Sequence, residues 1–262
     1  MKKIWAAGVC IAAAFLFACV GGSCLAEVSH NTFVLPEGEA PAAIVPEKEA
    51  AERSTAASDQ KKLRGYDAEY GDYQYVYMGE YEQSRNGQPI LWRVLTVEGN
   101  DALLLSEYIL ATRPYGEVNN WEKSDIKDWL NSEFAKKAFS WKERRAICDS
   151  DSRGRVFILS ESELLNTDYG FSPEDDQDKR RSAKGTPLAV DEGLYVNDDN
   201  QCSTYYTRTV CDEKTVFSVT SSGVFGASRL NRKDVGIRPA IWVDLEKISF
   251  DEGEGTIQDP YR

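Results

Sequence analysis

The 262-residue chain contains a single histidine, His30, which lies in a segment without the composition of a folded domain. Catalytic triads and dyads built on imidazole, and the common histidine-containing zinc sites, all need this side chain. The part of the chain that is predicted to fold therefore has none of these chemistries. This absence excludes more functions than any other feature of the sequence.

Long apolar runs are also missing, except at the start of the chain. Lys2 and Lys3 precede the apolar stretch Ile4–Val20, and small residues follow as far as Ala26. A positive start, an apolar centre and a small-residue end are typical of a secretory signal peptide, here residues 1–26. Two alternatives stay open: an uncleaved membrane anchor, and lipoprotein processing at Cys19. Each of the three predicts that most of the chain is exported, and either secreted or attached to the cell envelope.

Basic residues are in deficit. Lysine and arginine number 31 against 43 acidic residues, a formal net charge of -12. Loss of residues 1–26 would remove two lysines and bring the charge to -14. Such a charge argues against a nucleic-acid partner and against an anionic membrane surface. We therefore expect contact with a membrane only through the signal segment or a lipid anchor.

Three cysteines follow the signal segment: Cys148, Cys202 and Cys211. Export permits disulfides, but the odd number leaves at least one thiol unpaired within the chain. Cys202 and Cys211 flank a predicted strand, which would hold their Cα atoms roughly 30 Å apart, so we disfavour that pair. A bond from Cys148 to one of them, or three free buried thiols, remain open.

Composition divides the chain into four parts. After the signal segment, residues 27–64 are rich in Ala, Glu and Pro and poor in large apolar residues, which predicts a disordered tether. Residues 65–248 have the patterning of one globular α+β domain, mostly antiparallel sheet with two to four short helices. Residues 249–262 read as an acidic tail with little to bury.

Short apolar runs rich in β-branched and aromatic residues predict the strands. The first three read as an antiparallel meander, and the last, Gly236–Leu245, is expected to pair directly with the second, Ile90–Val97, and close the domain. The predicted strands are Tyr73–Tyr81, Ile90–Val97, Ala102–Glu107, Arg155–Leu159, Ser203–Val210, Thr215–Thr220, Val224–Ala227 and Gly236–Leu245.

Helical patterns occupy the middle of the domain. Ile126, Trp129, Leu130 and Phe134 have the spacing of one helix face, and Ser124 is a candidate N-cap. Two capping boxes follow, Ser140 with Glu143 and Ser160 with Glu163, and Pro187 suits the first turn of a helix over Thr186–Gly193. The acidic stretch 166–200 is predicted to be a functional or mobile loop.

Acidic clusters allow two chemistries without identifying either. Asp149–Gly154 begins like a calcium-binding loop. Arg153, however, occupies a position that needs an oxygen ligand, and Ser160 occupies the position of the usual glutamate. Asp198-Asp199-Asn200 reads as a charged loop. Two carboxylates at a suitable distance can hydrolyse glycosides, yet nothing distinguishes one pair among 43 acidic residues. We predict that the protein has no cofactor and no metal. A non-catalytic protein is favoured over an enzyme.

Aromatic side chains near the ends of elements are candidate ligand contacts, because a flat ring can stack on a sugar or peptide. Arg93, Arg208 and Arg238 lie in or beside strands, where we favour structural ion pairs or hydrogen bonds to loop carbonyls over ligand contact. Trp92, Trp129 and Trp242 instead lie on apolar faces and are predicted to be core. The candidate binding residues are Tyr115, Trp121, Tyr205, Tyr206 and Arg208, and the candidate structural residues are Trp92, Trp129, Gly236, Arg238 and Trp242.

The order of motifs resembles an uncharacterised bacterial family filed as a domain of unknown function. That family looks like the formylglycine-generating-enzyme branch of the C-type-lectin-like fold, whose closing strand starts with a step like Gly236-Ile237-Arg238. The enzymes of that branch use two cysteines shortly before this strand, whereas this chain has only Cys211 there, so the resemblance implies the fold and not the catalysis. The motifs are ILWRVL, LLLSEYIL, WEKSDIKDWLNSEFAKKAFSWKER, RVFILSESEL, YYTRTV and GIRPAIWVDL.

These observations lead to one main hypothesis and two alternatives. The chain is expected to be an exported, non-catalytic binding or interaction module at the bacterial cell envelope, with a glycan or protein of the envelope as partner. The alternatives are a carboxylate-based glycan hydrolase, or one using Ser-Lys chemistry, and a purely structural envelope protein.

Overall fold

The computed structural model describes residues 63–84, 86–150 and 152–262. The predicted signal segment and nearly all of the predicted tether lie outside the described residues. Leu63 is buried, and the Arg64 backbone N–H donates to Oε1 of Gln74 at 2.7 Å. The last two residues of the predicted tether therefore already belong to the fold.

The first sheet has five antiparallel strands in the order β1-β2-β3-β10-β5. The meander of the first three strands is confirmed, and Gly99 makes the turn between the second and third with a φ of +64°. The strands are β1 (Tyr75–Glu82), β2 (Gly87–Glu98), β3 (Asp101–Ser106), β5 (Val156–Ile158) and β10 (Pro239–Asp244).

The predicted pairing of the closing strand with the second strand is wrong. β3 lies between them, with Leu103 opposite Trp242 on one side and Ser106 opposite Trp92 on the other. Ala102–Leu105 is buried residue after residue, which is the pattern of a strand with neighbours on both edges and cover on both faces. β10 therefore meets β3 and not β2.

The second sheet has the order β4-β9-β6-β7-β8. The predicted closing strand Gly236–Leu245 is divided at Arg238, so that its first two residues belong to this sheet and Pro239–Asp244 belongs to the first sheet. β6 and β9 run parallel where Tyr205 faces Gly236, and the remaining pairs are antiparallel. The strands are β4 (Ala111–Thr112), β6 (Tyr205–Asp212), β7 (Thr215–Val219), β8 (Phe225–Arg229) and β9 (Gly236–Ile237).

Five short α-helices pack around these sheets within the described residues. The side chains of Ser124, Ser140 and Ser160 cap α1, α3 and α4, and both predicted capping boxes form. Thr186 caps α5, whose first residue is Pro187. The helices are α1 (Asp125–Trp129), α2 (Ala135–Ala138), α3 (Trp141–Ala146), α4 (Glu161–Leu164) and α5 (Pro187–Asp191), with a π-turn at Leu130–Phe134 joining α1 to α2.

The C-terminal residues are part of the fold and not a free acidic tail. Phe250 and Tyr261 are buried, and Tyr261 forms a parallel bridge with Val76 at the edge of β1. An edge strand with unpaired N–H and C=O groups needs such cover, and the last residues of the chain provide it. The C-terminal residues thus pair with the first strand of the domain.

The core confirms an α+β fold with mostly antiparallel sheet. Trp92 and Trp129 are buried, whereas Trp242 is only partly buried and packs against the edge of the core. No helix of the described part has both the length and the apolar character needed to cross a membrane.

Candidate functional site

Two adjoining clefts open beside the first sheet, and Arg93 of β2 and Lys179 line both of them. We call the first the tyrosine cleft; its volume is about 500 Å³ and Tyr73 and Tyr75 lie in its wall. We call the second the lysine cleft; its volume is about 550 Å³ and Lys184 and Cys202 line it. The shared residues make the two clefts neighbouring parts of one surface.

The wall between the clefts is an ion pair. Nε of Arg93 donates to Oε2 of Glu107 at 2.9 Å and Nη2 donates to Oε1 at 2.8 Å, while Nη1 donates to the carbonyl of Arg180 at 2.8 Å. Burial alone would lower the pKa of Arg93, but the charge and hydrogen bonding of Glu107, together with the neighbouring Tyr75 and Tyr73, raise it. The two-point hydrogen bond between the two side chains therefore fixes the wall.

Tyrosine hydroxyls in the tyrosine cleft are protonated at neutral pH. Burial raises the pKa of Tyr73 to about 12 and also raises the pKa of Tyr75. The Tyr73 hydroxyl donates to the Tyr169 carbonyl at 2.8 Å, and the Arg93 guanidinium lies 4.7 Å from the centre of the Tyr73 ring. Both rings can contact a ligand, but neither hydroxyl can act as a base.

The buried residue Arg181 holds the loop that carries the cleft lysines. Its Nε donates to the Gly223 carbonyl at 2.7 Å and its Nη1 donates to the Ser172 carbonyl at 3.0 Å. Its Nη2 donates to the carbonyls of Glu174 at 2.9 Å and Asp176 at 2.7 Å. The loop predicted to be functional or mobile is thus ordered around one guanidinium, and Lys179 and Lys184 are presented from it.

Arg238 lies behind the lysine cleft. Its Nε donates to the Ser106 carbonyl at 2.8 Å and its Nη1 to the Arg181 carbonyl at 3.1 Å, and these residues directly precede Glu107 and Ser182 in the wall of the cleft. Its Nη2 is buried and has no hydrogen-bond partner among the described residues. Burial raises the pKa of the Cys202 thiol, and the charges of Lys184 and Arg238 oppose that rise. The charge of Arg238 therefore reaches the cleft.

The clefts are lined by more cations than anions, in contrast to the negative net charge of the whole protein. Within the described part of the chain, neither Lys179 nor Lys184 forms an ion pair. Lysines held in a concave wall attract carboxylate or phosphate groups. Five cationic side chains and three acidic ones line the clefts: Arg64, Arg93, Lys179, Arg180, Lys184, Asp72, Glu107 and Glu254.

The sequence-predicted aromatic contacts lie elsewhere, inside the domain. Tyr115 and Tyr206 pack edge to face at 5.5 Å, the Tyr205 hydroxyl donates to the Arg181 carbonyl, and Nε1 of Trp121 donates to the Arg153 carbonyl. All four rings are buried, so they cannot stack on a ligand at the surface. Their apolar area stabilises the core instead.

Arg208 is bonded to a carboxylate and is not free for a ligand. Its Nη2 donates to Oε1 of Glu163 at 2.9 Å, and its Nη1 donates to Oε2 of the same side chain. The ion pair attaches β6 to α4, and the hydrogen bond from Nη1 to the Ile158 carbonyl, at 3.2 Å, attaches β6 to β5. The geometry therefore supports a structural role for Arg208, an ion pair between elements, over contact with a ligand.

The acidic clusters do not assemble a metal centre in the part of the chain that the structure describes. In the 198–200 loop, Oδ1 of Asn197 accepts from the backbone N–H groups of Asp199 and Asn200. Asp149 pairs with Arg155 at 3.0 Å. These side chains order turns of the backbone.

Comparison with known proteins gives a family and no activity. A family model described as a domain of unknown function (DUF6273) matches residues 99–245, more than half of the chain. No curated protein and no solved structure shows a significant similarity to the chain. The resemblance to an uncharacterised family is thereby confirmed, and the chain belongs to the DUF6273 family.

Proposed function

We propose that this protein is a non-catalytic binding module exported to the bacterial cell envelope, and that it holds an acidic glycan in the tyrosine and lysine clefts. The observation that carries the proposal is the excess of cations around two joined clefts in a protein with a net charge of -12. A glycan offers carboxylate or phosphate groups to the cations and sugar rings to the tyrosines.

The shape of the clefts fits an extended ligand. Arg93 and Lys179 line both clefts, so a chain lying across them meets Lys184 on one side and Arg180 on the other. The clefts contain no imidazole, and the Glu107 carboxylate is bonded to Arg93, which supports binding more than hydrolysis.

The C-type-lectin-like character of the domain is also part of this proposal. Two observations support it: Tyr261, near the C-terminus, bridges Val76 in the first strand, and the Gly236-Ile237-Arg238 step comprises β9 and the residue that leads into β10. Fold alone does not establish sugar binding, so the cations of the clefts carry that part of the proposal.

The test measures binding of the full chain to polygalacturonate, a carboxylate glycan, and to poly(glycerol phosphate), with methyl-esterified polygalacturonate as the uncharged comparison. We expect binding to at least one charged polymer and a loss of about fivefold per lysine in Lys179→Gln/Lys184→Gln, since an exposed ion pair contributes up to about 1 kcal/mol. The matched control is Lys214→Gln/Lys233→Gln, two exposed lysines outside the clefts.

A second readout maps the ligand. Cys202 lines the lysine cleft, whereas Cys211 is exposed at the end of β6. Bound polymer should slow alkylation of Cys202 and leave Cys211 unchanged. If neither polymer binds, or if the cleft and control variants bind equally well, the proposal is wrong.

A further inference from the structure

A second basic surface lies at the start of α3, around an exposed tryptophan. Trp141 has 66% of its surface exposed. It lines a shallow depression of about 230 Å³ with Lys142, Arg145 and Lys247. We call these four residues the Trp141 patch.

One cation of the Trp141 patch lies over the indole, and a second is paired with a carboxylate. Cζ of Arg145 lies 4.7 Å from the centre of the Trp141 ring, and Nζ of Lys247 pairs with Oδ2 of Asp244 at 2.6 Å. Glu143 of the same helix points elsewhere, because its carboxylate accepts from the backbone N–H groups of Gly79 and Ser140. Asp244 balances one of three cations, so the patch is positive.

The fold does not explain why Trp141 is a tryptophan. The Ser140–Glu143 capping box starts α3 without it. The other tryptophans that the structure describes are buried or partly buried, namely Trp92, Trp121, Trp129 and Trp242. A single exposed apolar residue is ordinary, but an indole that shares one depression with three cations is a specific combination.

We propose that the Trp141 patch docks on the surface of an anionic phospholipid bilayer. Indole rings are favoured at the level of the lipid headgroups, and lysine and arginine are attracted by the phosphates there. The net negative charge does not prevent this contact, because charges further than about 8 Å are largely screened at physiological ionic strength. The inference does not depend on the proposed glycan binding.

The size of the patch favours a lipid surface over a protein partner or a second copy of the chain. A stable protein–protein interface takes about 20 to 30 residues from each side. The Trp141 patch has four. A bilayer needs no shape complementarity, and one inserted ring with its cations suits weak, reversible contact.

The test uses the full chain with vesicles of phosphatidylglycerol and phosphatidylcholine, or of phosphatidylcholine alone, each prepared with brominated acyl chains that quench tryptophan. On the anionic vesicles we expect part of the tryptophan emission of the parent chain to be quenched. Trp141→Phe should remove this quenched component. The control Tyr70→Phe, which changes an exposed aromatic residue elsewhere, should retain it. The apolar segment Ile4–Val20 and Trp5 are common to all variants, so only the difference between variants reports on the patch.

Charge variants provide the second arm. Lys142→Gln/Arg145→Gln/Lys247→Gln should weaken the anionic-vesicle component about fivefold for each cation, and the control Lys123→Gln/Lys214→Gln/Lys233→Gln should not. Raising the salt concentration should have the same effect as the patch variant. Equal quenching of the parent chain and Trp141→Phe, or equal binding of the two charge variants, would overturn the proposal.

Discussion

Buried and partly buried arginines connect the loops of this domain to its sheets. Arg93 and Arg208 each form a two-point pair with a carboxylate, while Arg181 and Arg238 donate mainly to backbone carbonyls. A guanidinium offers five donors in a rigid plane, so a single side chain can satisfy several carbonyls of an irregular segment. The loops around the clefts are ordered in this way.

The structural interpretation of the strand arginines could be reached from sequence, and the importance of Arg181 could not. Arg93, Arg208 and Arg238 lie in or beside apolar runs, where a charge must find a partner. Arg181 lies in a polar loop with no periodicity, and its partners are as distant as Gly223. Only the folded chain brings those carbonyls together.

Glu163 gives a pH-dependent prediction at this scale. Burial alone would raise its pKa, but the hydrogen bonds and charge of Arg208, with a smaller effect of Ser160, lower it below the ordinary 4.5. A lowered pKa means that the stabilisation is complete above the ordinary value and is lost as the pH falls through the folded-state pKa. Glu163→Gln should therefore lower the free energy of unfolding by about 2 kcal/mol at pH 7, and by less below about pH 4.5.

Urea unfolding followed by circular dichroism at several pH values measures this difference. Asp234→Asn is the control, because the Arg232–Asp234 pair is exposed on both sides. It should change the free energy of unfolding by no more than about 0.5 kcal/mol. A loss in Glu163→Gln that stays constant down to pH 3 would show that the carboxylate charge is not its cause.

At the scale of elements, the sequence predicts where strands and helices occur better than it predicts which elements lie next to each other. Serine caps and capping boxes are local signals, and all three predicted serines cap their helices. Strand order depends on contacts between distant residues, which alternation of apolar residues does not encode. The run Ala102–Leu105 was the available signal, since a strand buried throughout needs a neighbour on each side.

The composition of the C-terminal segment, residues 249–262, does not indicate its structural role. Its acidic residues predict a tail, but Tyr261 accepts from the Tyr77 N–H at 2.7 Å and donates to the Tyr75 carbonyl at 2.9 Å through its backbone. Tyr261→Ala should lower the free energy of unfolding by about 3 kcal/mol, because it removes a buried aromatic ring at the edge of β1. Hydrogen exchange at the Tyr77 amide should become faster in the same variant.

Tyr195→Ala is the matched control, since Tyr195 is 59% exposed. A surface truncation of this kind should stay within about 0.5 kcal/mol. If both tyrosine variants unfold at the same urea concentration as the parent chain, the C-terminal segment does not belong to the cooperative unit.

At the scale of the molecule, the aromatic residues that the sequence pointed to lie apart from the candidate clefts. Aromatic residues near element ends suit a core as well as a surface, and Tyr115, Trp121, Tyr205 and Tyr206 are in the core. The cleft residues Arg64, Lys179 and Glu254 are far apart in sequence and carry no motif. The net charge of the chain does not indicate the clefts either, because the cations that line them come together only in the folded chain.

The last prediction concerns what holds the whole domain together. The structure has Cys148, Cys202 and Cys211 as free thiols, and Sγ of Cys148 lies 3.5 Å from Oδ1 of Asp101. The core, which extends through both sheets, is large enough to stabilise the fold without a disulfide. A reducing agent should therefore leave the unfolding midpoint unchanged, whereas loss of a native disulfide typically costs about 2–5 kcal/mol. Peptide mapping after alkylation without reductant should recover all three thiols labelled, and a cross-linked pair among them would contradict this view of the fold.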